Sequence, residues 1–277
     1  MYRGQRIAVV MPAYNVQDHV GRAIATIPSF VDRLYVVDDA SVDATAARAR
    51  SAAAGAVGVE ARLTLICRAQ NGGVGAAIAS GYKQALADEA DVVAVMAGDA
   101  QMDPADLAPL CDAVIDGADY AKGNRFRHPD VWRAMPRARI VGNIGLSLLT
   151  KLSSGYWRSF DSQCGYTAIG RAALAAVLAE GFFSRYGYVN DLLARLGAFG
   201  ARVVDVSVRP IYDDEPSGVR LSTVFHPILS VLMRSLSRRL WRRHLAPLLV
   251  GRARPKILPE ARRAPGRADH LLPAQPD

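Results

Sequence analysis

Asp99 and Gln101 stand two residues apart in the segment Gly98-Asp99-Ala100-Gln101-Met102-Asp103-Pro104. An extended segment sends alternate side chains to one side, so this carboxylate and this amide carbonyl can face one ion. Oxygen donors suit a hard divalent cation, and such a cation neutralises the charge of a departing diphosphate. Helix capping is the competing explanation for an acid in such a loop. Asp103 meets that need better, because it directly precedes Pro104, and proline favours the first helical position. Asp99 lies five residues ahead of Pro104, too far to cap it.

Asp38 and Asp39 pose a second question. Two adjacent acids at the end of an apolar run repel each other unless something pairs with them. A ribose or a base amide would do so. Asp43 already serves as the cap of the helix that follows.

Familiar phosphate cradles are missing. A dinucleotide fold would place GxGxxG after the first strand, where this chain reads Met11-Pro12-Ala13-Tyr14-Asn15. Gly72-Gly73-Val74-Gly75 comes after the third strand and lacks the full spacing, and no GxxxxGK[ST] loop occurs. A nucleotidyltransferase would carry a Gly-rich loop with a lysine after the first strand, and this one does not.

Residues of this kind need rigid elements behind them. Apolar runs at 7–11, 34–37, 63–66 and 92–96 read as buried parallel strands, with 120–123 a fifth. Helices are predicted over 16–27, 43–55 and 75–86, and another opens at Pro104. This alternation predicts an α/β domain with a mainly parallel sheet, whose ligands bind beyond the carboxyl ends of the strands. The polar clusters at residues 12–15, 38–41 and 98–101 fall at those ends. Beyond Met135 the alternation stops. Helices are read at 140–152 and 192–196, strands at 162–169 and 202–208, and a loop at 212–222.

Composition sets outer bounds. The 277 residues are 51% hydrophobic, enough for a large core. Cys67, Cys111 and Cys164 form no CxxC pair, and the chain begins without a signal-like segment, so a reducing cytoplasmic setting is expected. No run of about 18 apolar residues offers a membrane span. The net charge of +8 is uneven, with arginines crowding the region after Arg220. Lipid headgroups are the expected anionic partner, and nucleic acid is not, because no reader motif appears.

Five motifs then occur in order: Pro12-Ala13-Tyr14-Asn15, Val37-Asp38-Asp39-Ala40-Ser41, Asn71-Gly72-Gly73-Val74-Gly75-Ala76-Ala77, Gly98-Asp99-Ala100-Gln101 and Lys122-Gly123-Asn124-Arg125-Phe126. The series resembles the family 2 inverting glycosyltransferases of GT-A fold, and within them the dolichol- or polyprenyl-phosphate mannose and glucose synthases. The resemblance covers most of residues 6–225. It implies that Pro12, Tyr14 and Asp39 hold the nucleoside, with Asn15 and Asp38 nearby. It implies that Asp99 and Gln101, beside Gly98, bind Mg²⁺ or Mn²⁺ and the diphosphate. Arg125 would contact the sugar or a phosphate, and Arg220 would close over the phosphates. Asp191 falls where relatives carry a catalytic acid. It would act as general base toward a hydroxyl acceptor; toward a phosphate acceptor it would position the acceptor or cap a helix. Asp161 and Gln163 would line the same pocket. There are departures: Ala97 replaces the first acid of the usual Asp-x-Asp-x-Gln, Val16 and Gln17 follow Asn15 without an acid, and the QxxRW of processive synthases is absent.

A helix is predicted over 224–245. Phe225, Leu229, Leu232, Leu236 and Leu240 form one apolar stripe, with Arg234, Arg238 and Arg242 beside it. Arg239 and Arg243 fall back toward the apolar face, from where they could snorkel to headgroups. Such a helix suits a membrane interface; docking on the domain or a homo-oligomer contact are the alternatives. The expected organisation is a GT-A domain at 1–222, an amphipathic helix at 223–250 and a disordered tail at 251–277. The expected activity moves one hexose from a UDP- or GDP-sugar to a polyprenyl phosphate at the inner face of the cell membrane. A saccharide or small-molecule hydroxyl is the alternative acceptor, and a non-catalytic nucleotide-sugar binder the alternative class.

Overall fold

The computed structural model describes residues 1–55, 58–211 and 221–241. The four apolar runs become strands β1 (Ile7–Ala13), β2 (Arg33–Asp38), β3 (Leu63–Cys67) and β4 (Val92–Val95), all parallel. Every residue of β1 is buried, as a strand covered on both faces requires. β3 is the sheet edge and is only half covered. The connecting helices are α1 (Val20–Ala25), α2 (Thr45–Gly55) and α3 (Val74–Ala87). α3 carries the chain from the edge back across β2 and β1 to β4.

The second half adds α4 (Leu107–Ile115), β5 (Tyr120–Asn124), α5 (Val131–Ala134), α6 (Arg137–Ser154), β6 (Thr167–Gly170), α7 (Arg171–Glu180), α8 (Tyr188–Phe199), β7 (Val203–Ser207) and α9 (Leu221–Leu240). The sheet order is β3-β2-β1-β4-β6-β5-β7. β6 is antiparallel to both β4 and β5, and β7 runs parallel to β5. One core layer packs Ile7, Val9, Met11 and Leu34 against α1 and α4; the other packs Val10, Val37 and Val93 against α3, α7 and α8.

α5 and α7 are not among the elements read from the sequence, and three of those that are differ from expectation. The helix read at 16–27 contracts to α1, because side chains of the α2 entry capture the backbone before it. Val16 N donates to Thr45 Oγ1 at 2.8 Å and Gln17 N to Asp43 Oδ2 at 3.2 Å. The strand read at 162–169 pairs only over β6; its first residues form a turn closed by Cys164 N on the Asp161 carbonyl at 3.0 Å. α9 begins at Leu221, inside the expected loop, and its stripe is divided. Ile228, Val231 and Leu232 are buried, with Ile228 and Leu232 against Leu146 of α6, while Leu229 and Leu240 face outward. Arg239 donates to the carbonyls of Lys151 and Leu152 at 3.4 and 2.6 Å. It therefore satisfies the C-terminal carbonyls of α6, where cations are favoured, and does not reach toward headgroups. Arg242, Arg243 and the tail lie outside the described residues.

Gly75 shows how tightly α3 docks. Ala76 N donates to the Ser184 carbonyl at 2.9 Å, and a Cβ on Gly75 would overlap the Phe183 carbonyl oxygen. Backbone cannot swing aside as a side chain can. Gly75→Ala is expected to lower stability by about 1–3 kcal/mol, the usual range for overpacking. An unchanged thermal midpoint would show that this contact is looser than described.

Candidate active site

Strands β1, β2, β4 and β5 all end on one edge of the sheet, and β6, being antiparallel, begins there. The loops at 12–15, 38–41, 98–101 and 161–166 therefore meet at a single crevice. Six non-glycine residues have positive φ among those described, and four of them, Asn15, Ala40, Ala100 and Asp161, lie in these loops. Backbone held in this region costs energy and tends to cluster where geometry serves a site.

Pro12 is buried near the end of β1, and its carbonyl accepts from Gly98 N at 3.1 Å, joining the first and third loops. Tyr14 is exposed beside it. Asn15 clasps the second loop: its N–H donates to Ser41 Oγ at 3.0 Å, and its Oδ1 accepts from Val42 N at 3.0 Å. Asp38 Oδ1 accepts from Ser41 N at 3.3 Å. Asp39 is almost fully buried and accepts from Gly73 N at 2.7 Å, from Gly72 N at 3.1 Å and from the Arg68 guanidinium. The two acids thus have separate internal partners, and their adjacency needs no ligand to explain it. Residue types and spacing alone do not announce Arg68, which meets Asp39 from 29 residues away.

The loop at 98–101 holds the metal candidates. Asp99 Oδ1 accepts from Gln101 N at 3.0 Å, which turns the loop back on itself. Met102 Sδ accepts from Ala97 N at 3.2 Å and closes it. Asp103 Oδ1 accepts from Ala105 N at 3.0 Å, the capping role expected of it. The Gln101 carboxamide, half-buried, makes no hydrogen bond among the described residues. No cluster of three acidic, histidine or cysteine side chains suited to a metal occurs among the described residues. Ala100 has positive φ, so the segment is a turn and the alternation expected of an extended run does not hold here. One carboxylate and one carbonyl would suit a cation that arrives with a diphosphate, not one caged by protein.

Arg125 is held by Asp161. Its Nε and Nη2 reach the two carboxylate oxygens at 2.8 and 2.7 Å, and its own N–H donates at 2.9 Å. Burial pushes the Asp161 carboxyl up, but the hydrogen bonds and charge of Arg125, with the charge of Lys122, outweigh it and hold the carboxyl below the usual carboxylate range. Behind this pair lies Lys122, fully buried, opposite Asp205 in the β5–β7 register. Its Nζ donates to the carbonyls of Gly123 and Asp161 at 3.1 and 3.0 Å and to that of Phe160, with Asp205 Oδ1 at 3.8 Å. Asp205 accepts from Asn124 Nδ2, Ser159 Oγ and Phe160 N, each at 2.7 Å. Gly123 is small for a reason: a Cβ there would lie 2.8 Å from Cys164 Sγ and 2.9 Å from the Tyr166 carbonyl.

Asp191 lies in the first turn of α8. Its Oδ2 accepts from Arg195 Nε and from Phe183 N, both at 2.9 Å. It therefore fixes the segment that docks on the N-terminus of α3. Gln163 Nε2 reaches Asn190 Oδ1 at 3.4 Å, which brings the Asp161 loop to α8. Burial pushes the Cys111 thiol up to about 12 and raises that of Cys164, so neither is poised as a nucleophile. Arg220 lies outside the described residues.

A sheet of this order, with its crevice at the strand ends, is the GT-A fold, and the family model for glycosyl transferase family 2 matches residues 8–178. The chain belongs to that family. Among its relatives, the polyprenol monophosphomannose synthase of Mycolicibacterium smegmatis is 31% identical over 215 residues, covering 74% of this chain and 77% of that protein. The UDP-N-acetylglucosamine–dolichyl-phosphate N-acetylglucosaminyltransferase of Methanococcus voltae is 28% identical over 218 residues, covering 75% and 86%. Glucosyl-3-phosphoglycerate synthase from Mycobacterium tuberculosis, solved with Mn²⁺, UDP and glucosyl-3-phosphoglycerate, shares the fold with a TM-score of 0.62 at 22% identity over 84% of this chain and 81% of that one.

The buried pair gives one prediction. Asp205→Ala strands the Lys122 charge and is expected to cost about 3–5 kcal/mol, with Lys122→Met in the same chain recovering part of it. If the double variant melts no higher than Asp205→Ala alone, the two residues are not coupled. A second concerns pH. Because the folded Asp161 carboxyl is depressed, its contribution is complete above the ordinary carboxylate range and fades as pH falls through the depressed value. The gap in melting temperature between wild type and Asp161→Asn should be constant at neutral pH and close only in strong acid. A gap that closes near neutrality would contradict the assignment.

Proposed function

We propose that this chain transfers one hexose from a UDP- or GDP-sugar to a polyprenyl phosphate, with inversion. The observation that carries the reading is the convergence of Asp99, Gln101, Asp39 and Arg125 on one sheet edge, in a chain similar to polyprenyl-phosphate glycosyltransferases. Asp39, Pro12, Tyr14, Asn15 and Asp38 take the nucleoside. Asp99 and Gln101, beside Gly98, hold Mg²⁺ or Mn²⁺ together with the diphosphate. When bound, that cation stabilises the negative charge that grows on the leaving diphosphate. The acceptor phosphate oxygen forms its bond to the anomeric carbon as the bond to the diphosphate breaks, and the bonding pair departs with the diphosphate.

Arg125, oriented by Asp161, contacts the sugar or a phosphate, and Arg220 closes over the site. A phosphate acceptor is already anionic and needs no general base. Asp191 then positions the pocket wall through Phe183 and Arg195, which agrees with both bonds to its Oδ2. No helix among the described residues is long and apolar enough to cross a membrane. The enzyme works from the surface of the inner face of the cell membrane.

Purified protein given UDP- and GDP-hexoses, Mg²⁺ or Mn²⁺ and undecaprenyl phosphate should release nucleotide diphosphate and form a glycolipid. No transfer from any donor would sink the proposal. Chelation should abolish turnover, and Asp99→Ala should lower kcat by ~100-fold, equal to about 2.7 kcal/mol of barrier. Asp191→Asn should change the rate by less than about tenfold, below the range for loss of a general base. A greater loss with donor binding intact would move the acceptor to a hydroxyl.

A further inference from the structure

α6 buries an unusual number of polar groups and leaves a row of apolar ones exposed. Its inward side presents Asn143, Ser147, Thr150, Ser153 and Ser154, all buried. These groups are used: Ser147 Oγ accepts from Ser162 N at 3.1 Å, and Thr150 Oγ1 accepts from Asn190 Nδ2 at 2.7 Å. Ile140 and Leu146 are buried beside them, yet three apolar residues face outward. Val141, Leu148 and Leu152 recur at helical spacing, in line with Gly145, and are 71%, 51% and 44% exposed. A helix whose outer side faces only water normally carries polar residues there. α9 lies alongside, tied to α6 through Ile228, Leu232 and Arg239, and it also turns Leu229, Met233 and Leu240 outward.

Two further observations identify what covers this face. The chain has three tryptophans, and all of them, Trp132, Trp157 and Trp241, are exposed, at 66%, 61% and 52%. Trp132 precedes α6, Trp157 follows it, and Trp241 follows α9. Tryptophan in such places favours the boundary between lipid and water. Residues 131–160 and 221–241 contain no aspartate or glutamate. Arg133, Arg137 and Arg158 around α6, and Arg234 and Arg238 on α9, are exposed. A two-fold contact with a second copy would set the same cations against each other with no acid to pair them. An anionic lipid surface supplies both the apolar cover and the countercharge.

We propose that the outward faces of α6 and α9 together form the platform on which the protein sits on an anionic membrane. The inference rests on the polyprenyl-phosphate reading only for its purpose. The loop at 161–163 hangs from the inward side of α6, so seating α6 on lipid would place the crevice close to a lipid-borne phosphate.

Flotation of the full chain with vesicles tests this. Wild type should float with phosphatidylcholine vesicles containing phosphatidylglycerol, more weakly with phosphatidylcholine alone and at high salt, with a blue shift of tryptophan emission. Leu148→Glu with Leu152→Glu should reduce partitioning by ~10-fold or more, and so should Arg234→Gln with Arg238→Gln. Circular dichroism and thermal midpoints establish that each variant is folded. The proposal fails if wild type does not float with the anionic vesicles or if the folded variants float as well as wild type. It also fails if sedimentation shows a dimer that the α6 variant dissociates. Transfer to a short, water-soluble polyprenyl phosphate should survive the α6 changes. Vesicle binding without any transfer would remove the functional reading and leave this one standing.

Discussion

A lysine with no exposure at all, set in the middle of a strand, constrains everything around it. Lys122 cannot stay charged in the sheet without partners, because removing an ammonium from water costs several kcal/mol. The chain answers with Asp205 on the adjacent strand and with carbonyls from residues 123, 160 and 161. Such a pair is a poor source of net stability, since well-packed apolar residues in its place often do as well. What it supplies is position. The segment that carries Asp161 has to lie against β5 and β7, because its carbonyls and the Phe160 N–H are part of the solution. Asp161 then fixes Arg125 through three hydrogen bonds at the mouth of the crevice.

The antiparallel β6 does complementary work. A parallel strand in its place would bring its preceding loop to the opposite edge, away from Asp99. Reversal delivers the 161–166 segment to the carboxyl ends of β1, β2, β4 and β5. The crevice is then walled on its far side by the start of α8, where Asp191 and Asn190 bind neighbouring segments and leave little freedom between them. Rigid elements and left-handed loop residues together make a site organised before any ligand enters, which is how polar groups act most strongly on a reacting centre.

Much of this was legible in the residues. Buried parallel strands read as unbroken apolar runs, so β1, β2 and β4 could be placed almost to the residue. Asp103 next to Pro104 announced its capping role. Harder to see were contacts between distant residues. Arg68 meets Asp39 only because the turn after β3 folds back, and nothing local in either segment shows it. Lys122 and Asp205 each interrupt an apolar strand, a signal that becomes specific only when the strand register places them opposite. In α9 the pattern showed an apolar stripe but not what it faced. Packing on α6 took Leu232 inward and left Leu229 out, a division that depends on the neighbouring helix and not on spacing. α6 was readable as a helix, but which of its polar groups would be buried beside Ile140 and Leu146 depends on the segments it meets.

The distance along the chain between Lys122 and Asp205 also bears on biosynthesis. Strands β1 to β4 can pair soon after they leave the ribosome, since their partners are close in sequence or joined by one crossover. Lys122 lacks its ion-pair partner Asp205 until β7 has been made. Long-range pairings form slowly, and partly assembled sheets expose edges in the meantime. The loops at 12–15, 38–41 and 98–101 are thus built early, while the Arg125 side waits for the C-terminal third of the chain. A nascent or truncated product lacking β7 would carry those loops without the Lys122–Asp205 pair that positions the segment opposite them.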